Sequence, residues 1–220
     1  MPSDPTSESA LNLYAQQMEQ IKLRINAMEL VFNKTYNTPY QATNVEFCAL
    51  QLRKVIEGIL FSSLVTNSDK YLQAYNKLAT TWKAQYIMND LSRINPKFYP
   101  EPIKIVHHPE RVQVYEDGTR NTGDEFVQIN DYITPDRIIK IHERLGGIMH
   151  ERNPFSVPID YPIYENLIRD TTNEVKLLLN THLAHMADGV HVYYVGMQAA
   201  DAGNVHVSLF ERQDIANSNT

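Results

Sequence analysis

From Leu11 onward apolar side chains recur at alternating intervals of three and four: Leu11, Tyr14, Met18, Ile21, Ile25, Met28 and Phe32. That is the heptad spacing of a helix with one apolar seam, and Gln16, Gln17, Glu19, Lys22 and Arg24 fall outside it. Asn37-Thr38-Pro39 breaks the pattern. Residues 42–66 are apolar nearly all round, including Val45, Leu52, Val55, Ile56, Ile59 and Leu60, which predicts the central helix of the fold. Three charges, Glu46, Arg53 and Glu57, interrupt it along one side, and Arg53 and Glu57 stand one turn apart, placed to pair. Ser68-Asp69 reads as the cap of a third helix running to Ile94, with the stripe Tyr71, Tyr75, Leu78, Trp82, Tyr86 and Leu91. Val55, Ile59, Leu60 and Trp82 are the expected centre of the core.

Beyond Pro102 the period changes. Ile103 and Ile105, then Val112 and Val114, alternate with polar residues on either side of His108-Pro109-Glu110, which predicts a hairpin, and Phe126–Ile129 reads as a short further strand. Thr134-Pro135-Asp136 starts a fourth helix: a threonine cap, proline in the first turn and an acid beside it. It carries Ile138, Ile141, Leu145, Ile148 and Met149, with Gly146-Gly147 in its interior, and Asn153-Pro154 stops it. A fifth helix after Pro162 uses Tyr164, Leu167, Ile168, Thr171, Val175, Leu178 and His182, then His185 or Met186. Residues 190–197 and 205–210 alternate again around Asp201-Ala202-Gly203-Asn204, a closing hairpin. The expected fold is mainly α, a five-helix bundle with one β-hairpin inserted between helices three and four, at about 103–129, and a second at about 190–212. The two hairpins would form a small antiparallel sheet. Residues 1–9 read as a disordered tail and residues 10–220 as one domain.

Charge narrows the function. Twenty Lys and Arg stand against 26 Asp and Glu, a net charge of −6, so the chain lacks the broad basic field of a duplex-DNA binder. Its one cysteine, Cys48, has no internal partner and lies in an apolar run. The polar amino terminus lacks a signal-peptide pattern, and no apolar run reaches the ~18–20 residues of a membrane span. A cytoplasmic protein with no membrane partner is expected.

The densest group of reactive side chains is residues 142–155, with His142, Glu143, Arg144, His150, Glu151 and Arg152 around Gly146-Gly147. Arg144 and His150 have five residues between them. In this spacing, late in a helical chain and beside a helix break, the sequence resembles the HEPN superfamily of helical domains, many of them RNA-cleaving toxins or defence effectors. The resemblance implies a metal-independent ribonuclease acting as a dimer, with Arg144 on the scissile phosphate and His150 in proton transfer. That chemistry needs a group titrating near neutrality and a cation for the developing charge, and Arg152 is a second phosphate contact. Glu57 or Glu143 would orient the imidazole. On a continuous helix six positions turn roughly 600°, leaving Arg144 and His150 about 120° apart, so they converge only through a kink at Gly146-Gly147 or in composite sites across a dimer.

Two other classes stay open. The same bundle could serve as a non-enzymatic module that dimerises through the Leu11–Phe32 seam or holds a protein partner such as an antitoxin. Alternatively His182, His185 and Asp188, at i, i+3 and i+6 of the fifth helix, could bind a metal, as could Glu143 with His150. His182, on the apolar stripe, also reads as a core histidine. No phosphate-binding glycine loop or nucleophile elbow is present, and no cofactor is expected.

Overall fold

A computed structural model of the chain describes residues 4–75, 83–116, 118, 120–151, 153–198 and 203–211, with residues 120 and 121 given by backbone alone. Helix α1 (Glu8–Phe32) runs antiparallel to α2 (Gln41–Thr66), and this is the most extensive helix pairing. The heptad seam makes it: Tyr14, Met18, Ile21, Ile25 and Met28 are all buried within the chain. Gly58 lets the helices approach, since a Cβ there would sit 3.1 Å from the Ile21 side chain. The seam is thus covered within the chain, by α2 and, at Tyr14, by His182 and Tyr193 of the sheet. Ser7 caps α1 by accepting from the Ala10 N–H, and Pro5 is buried with its carbonyl accepting from the Tyr193 hydroxyl. Ordered contacts thus begin inside the segment expected to be a disordered tail.

Helix α2 is central, as its all-round apolar surface predicts: Val55, Ile56 and Ile59 are fully buried and Leu60 nearly so. Ile59→Ala is expected to cost ~2–5 kcal/mol in urea unfolding; a loss under about 0.5 kcal/mol would mean α2 is not the core helix. The expected third helix is two, α3 (Ser68–Tyr75) and α4 (Ala84–Ile94), and Leu78 and Trp82 of its stripe lie outside the described residues. Tyr86, expected in the core, is exposed on α4. Helix α5 (Pro135–Gly146) starts as predicted, with the Thr134 hydroxyl accepting from the Arg137 N–H. It ends at Gly146, well before Asn153-Pro154, because Ile148 and Met149 lie in tightening i→i+3 turns rather than in the helix.

The fold class departs from the expected five-helix bundle. Helix α6 (Tyr161–Leu179) stops one residue before Asn180, and Thr181–His185 is a strand, not the last turns of a helix. With β1 (Glu101–His107), β2 (Gln113–Val114), β3 (Arg120–Asn121) and β4 (Asp124–Gln128) before it, this strand is β5; β6 (His191–Gly196) and β7 (His206–Glu211) follow. It joins the two hairpin regions into one five-stranded sheet in the order β4-β1-β5-β6-β7, antiparallel at every neighbour pair. Six helices and this sheet make an α+β architecture among the described residues.

The inserted hairpin also pairs differently. Strand β1 uses Glu101 and Pro102 on β5 and residues 103–107 on β4, while Val114 pairs with β3 in a separate two-stranded ladder and His108-Pro109-Glu110 leads into a short 3₁₀ turn at Pro109–Arg111. Strands β6 and β7 pair antiparallel as predicted, while Asp201 and Ala202 of the expected turn lie outside the described residues. One face of β5–β6 packs on the helices through His182, Ala184, Tyr193 and Val195, with Tyr193 edge-on to Tyr14 at 5.3 Å. Successive residues of a strand face opposite ways, so Leu183, His185, Val192 and Tyr194 line the outer face.

Candidate functional site where α2 meets α5

The polar line along α2 is spent on its neighbours. Glu46 accepts from the Tyr161 hydroxyl of α6 at 3.0 Å. Farther along, Arg53 donates from Nη1 to the His142 carbonyl at 2.5 Å, and Glu57 Oε1 accepts from His142 Nε2 at 2.8 Å. Arg53 and Glu57 approach to 3.9 Å, the expected one-turn pair. The carbonyl Arg53 reaches lies four residues before Gly146, the last residue of α5. Gly146 leaves room for the guanidinium: a Cβ there would lie 3.0 Å from Arg53 Nη1.

The charge state of this trio follows from its contacts. A carboxylate only accepts, so His142 carries a proton on Nε2, and Nδ1 has no hydrogen-bond partner among the described residues. The His142 hydrogen bond holds the Glu57 carboxyl below its usual range against the opposing effect of burial, and the charges of Arg53 and Lys54 act the same way. All three side chains are partly exposed, at 24% for Arg53, 30% for Glu57 and 12% for His142. An ionised carboxylate behind an imidazole, with a guanidinium alongside, can accept a proton at Nδ1 and stabilise the imidazolium that results.

The residues predicted from sequence are distributed around this trio rather than gathered in it. Glu57 does orient an imidazole, but that of His142, not His150. Arg144 leaves α5 on another side and lies over the Tyr164 ring at 5.5 Å from its centre, so α5 is held to α6 there. Glu143 and His150 are exposed, and neither makes a hydrogen bond or ion pair among the described residues. No such bond links Arg144 to His150. Arg152 lies outside the described residues. Arg53 and His142 are the members the sequence pointed to without assigning: Arg53 by its i, i+4 relation to Glu57, His142 by its place in the residue 142–155 cluster.

The metal-ligand set separates for a geometric reason. In a strand, His182 and His185 are an odd number of positions apart and face opposite sides. His182 is buried against the helices, donating from Nδ1 to the Leu179 carbonyl at 2.9 Å and accepting at Nε2 from the Tyr14 hydroxyl at 3.0 Å. Burial lowers its pKa from 6.5 to about 4, so it is the neutral core histidine of the other reading. His185 pairs with Glu101 at 3.0 Å on the outer face, and Asp188 with His191 at 2.6 Å. No group of three or more possible metal ligands occurs among the described residues. Burial pushes the Cys48 thiol up to about 12, which leaves it a poor nucleophile.

No family model, curated protein or solved structure matches the chain. Among the described residues no helix is long and apolar enough to cross a membrane.

Proposed function

We propose that the protein is a metal-independent RNA endonuclease whose proton-transfer centre is the Glu57–His142 pair. The observation that carries this is the 2.8 Å contact between them with His142 Nδ1 left open. In the proposed step His142 Nδ1 takes the proton of a ribose 2′-hydroxyl as that oxygen attacks the adjacent phosphorus. The bond to the 5′-oxygen breaks, leaving a 2′,3′-cyclic phosphate on one fragment. The departing 5′-oxygen takes a proton from a second acid, for which the exposed His150 is the nearest histidine in sequence. Arg53, with Lys54 beside it, supplies the cationic charge that a phosphorane needs and that an acidic protein must concentrate locally. Arg144 serves in this scheme as the α5–α6 contact through Tyr164.

Purified full-length protein in excess chelator is expected to cleave single-stranded RNA and to leave cyclic phosphate ends. The same oligonucleotide made as DNA, without the attacking hydroxyl, should survive. Cleavage of both, or of neither, would count against a 2′-hydroxyl mechanism.

The rival, a module that binds a protein partner or a second copy, has one observation in its favour. Between α5 and α6 the chain presents Phe155 at 97% exposure and Val157 at 86%, on a turn held by the Asn153 side chain and carbonyl. A near-fully exposed phenylalanine on an ordered turn is a contact in search of a surface. Under that scheme the Arg53–Glu57–His142 trio is only the joint between α2 and α5, and the RNA assay is blank.

A further inference from the structure

The outer face of the sheet holds a cleft of about 370 Å³ that the proposed reaction does not use. Its walls are apolar and aromatic, with Phe126 from β4, Phe210 from β7 and Leu183 from β5. Register puts them together: β1 carries β4 past β5, so Phe126 stacks on Tyr194 of β6, with centroids 5.4 Å apart and planes within 11°, while Phe210 stands edge-on to both. One face of the Phe126 ring is thus braced, yet the residue keeps 44% of its surface exposed, as does Phe210. Polar groups enter at one side. Glu101 sits opposite Leu183 in the β1–β5 register and reaches His185, two residues along, at 3.0 Å; Lys97 is the cation of the same lining, and Glu211 adds a second carboxylate.

We propose that this cleft binds a nucleobase. A braced aromatic face suits a flat heterocycle, since every base has a π-face to stack. Glu101 accepts from a base's exocyclic amine or ring N–H, and Lys97 donates to a ring nitrogen or carbonyl oxygen. Two carboxylates keep a phosphate off the floor of the cleft, so the sugar–phosphate part stays at the rim. The volume lies in the ordinary range for a small-ligand pocket and holds one base with its sugar. The base comes either from a single strand of RNA or from a free nucleoside; the first source rests on the nuclease reading, the second does not.

Both sources are tested with the full-length protein in chelator, by the fluorescence of a 2-aminopurine placed within a fully 2′-O-methylated RNA oligonucleotide that cannot be cleaved, and by calorimetry with adenosine. Binding is expected to quench the probe. Phe126→Leu and Phe210→Leu, which keep apolar bulk but remove the ring, should each weaken binding about tenfold, and Glu101→Gln by a similar factor, with the unfolding midpoint unchanged. Binding of the strand without the nucleoside makes RNA the source; equal binding of both makes it the free nucleoside, and the base site stands in either case. No binding of either probe, or affinities untouched by all three substitutions, overturns the proposal. Tight, ring-dependent binding of the methylated strand together with no cleavage of ordinary RNA would instead overturn the nuclease reading alone.

Discussion

Acidifying the protein from pH 6.5 to pH 4 is expected to remove about 3 kcal/mol of stability, through His182 alone. Its folded pKa is depressed to about 4 from the ordinary 6.5, because the ring is fully buried against Tyr14 and the helices. Between those two values the unfolded chain binds a proton that the folded chain refuses. Stability therefore rises with pH across this window and is complete above 6.5. Burial likewise raises the Tyr14 phenol, which stays protonated and donates to Nε2 as long as the His182 ring is neutral. The carboxyls of Glu57 and Asp188, held low against burial by hydrogen bonds from His142 and His191, and of Asp124, held low by Thr122 first and His107 next, act separately. Their contribution is present above the unfolded carboxyl range and is lost only as pH falls through their depressed values. His182→Gln keeps an acceptor for Tyr14 but cannot titrate, so urea unfolding between pH 6.5 and 4 should lose most of its slope. A variant with the wild-type slope would place the titrating group elsewhere.

Replacing Glu57 by glutamine is expected to slow RNA cleavage by about 10²- to 10⁴-fold. The amide can still meet His142, but it cannot stabilise an imidazolium, and its own N–H₂ group favours the tautomer with the proton on Nδ1. Glu57 acts through His142 and is a positioning residue, so the rate alone is not sufficient. The pH–rate profile should shift its acidic limb, since His142, the base, would no longer face an anion, and Glu57→Asp should restore part of the rate. An unshifted profile with a proportionate fall in stability would show that Glu57 only joins α2 to α5.

The parts of the fold legible in the sequence are those with long, uniform periods. Seven apolar positions from Leu11 to Phe32 allow no strand reading, and Thr134-Pro135 fixes the start of α5 without help from its surroundings. Strand β5 was hidden because its residues fit two periods at once. Leu178, His182 and Met186 continue the α6 stripe at intervals of four, while His182, Ala184 and Met186 are also every second residue, and all three are buried. Asn180, the C-cap, decides between them, and its effect rests on tertiary pairing with β6 and β1. Missing that one strand turned an α+β fold into a helical bundle and placed three metal-ligand candidates on one helical face. The β1 partner was equally invisible, since Val112 and Val114 alternate nearer in sequence than β4 does.

The site was half legible for a similar reason. Arg53 and Glu57 are one turn apart on an unbroken helix, and their pairing follows from spacing alone. Which histidine they meet depends on how α5 is rotated against α2, and the periodicity of residues 142–150 does not encode that rotation. Gly146 carries the clue, because its missing side chain is the space Arg53 occupies. Read along the sequence, the same glycine looks like a kink between Arg144 and His150.

The central claim is that the Glu57–His142 pair, rather than Arg144 with His150, takes the proton of the attacking hydroxyl, and one comparison tests it most directly. Cleavage of a single-stranded RNA in excess chelator should be measured for the wild type, His142→Ala and His150→Ala, with circular dichroism confirming that each is folded. The account predicts that His142→Ala loses cleavage by at least about 10²-fold, and that His150→Ala loses less. Full activity in folded His142→Ala, or cleavage that appears only when divalent metal is returned, would contradict it.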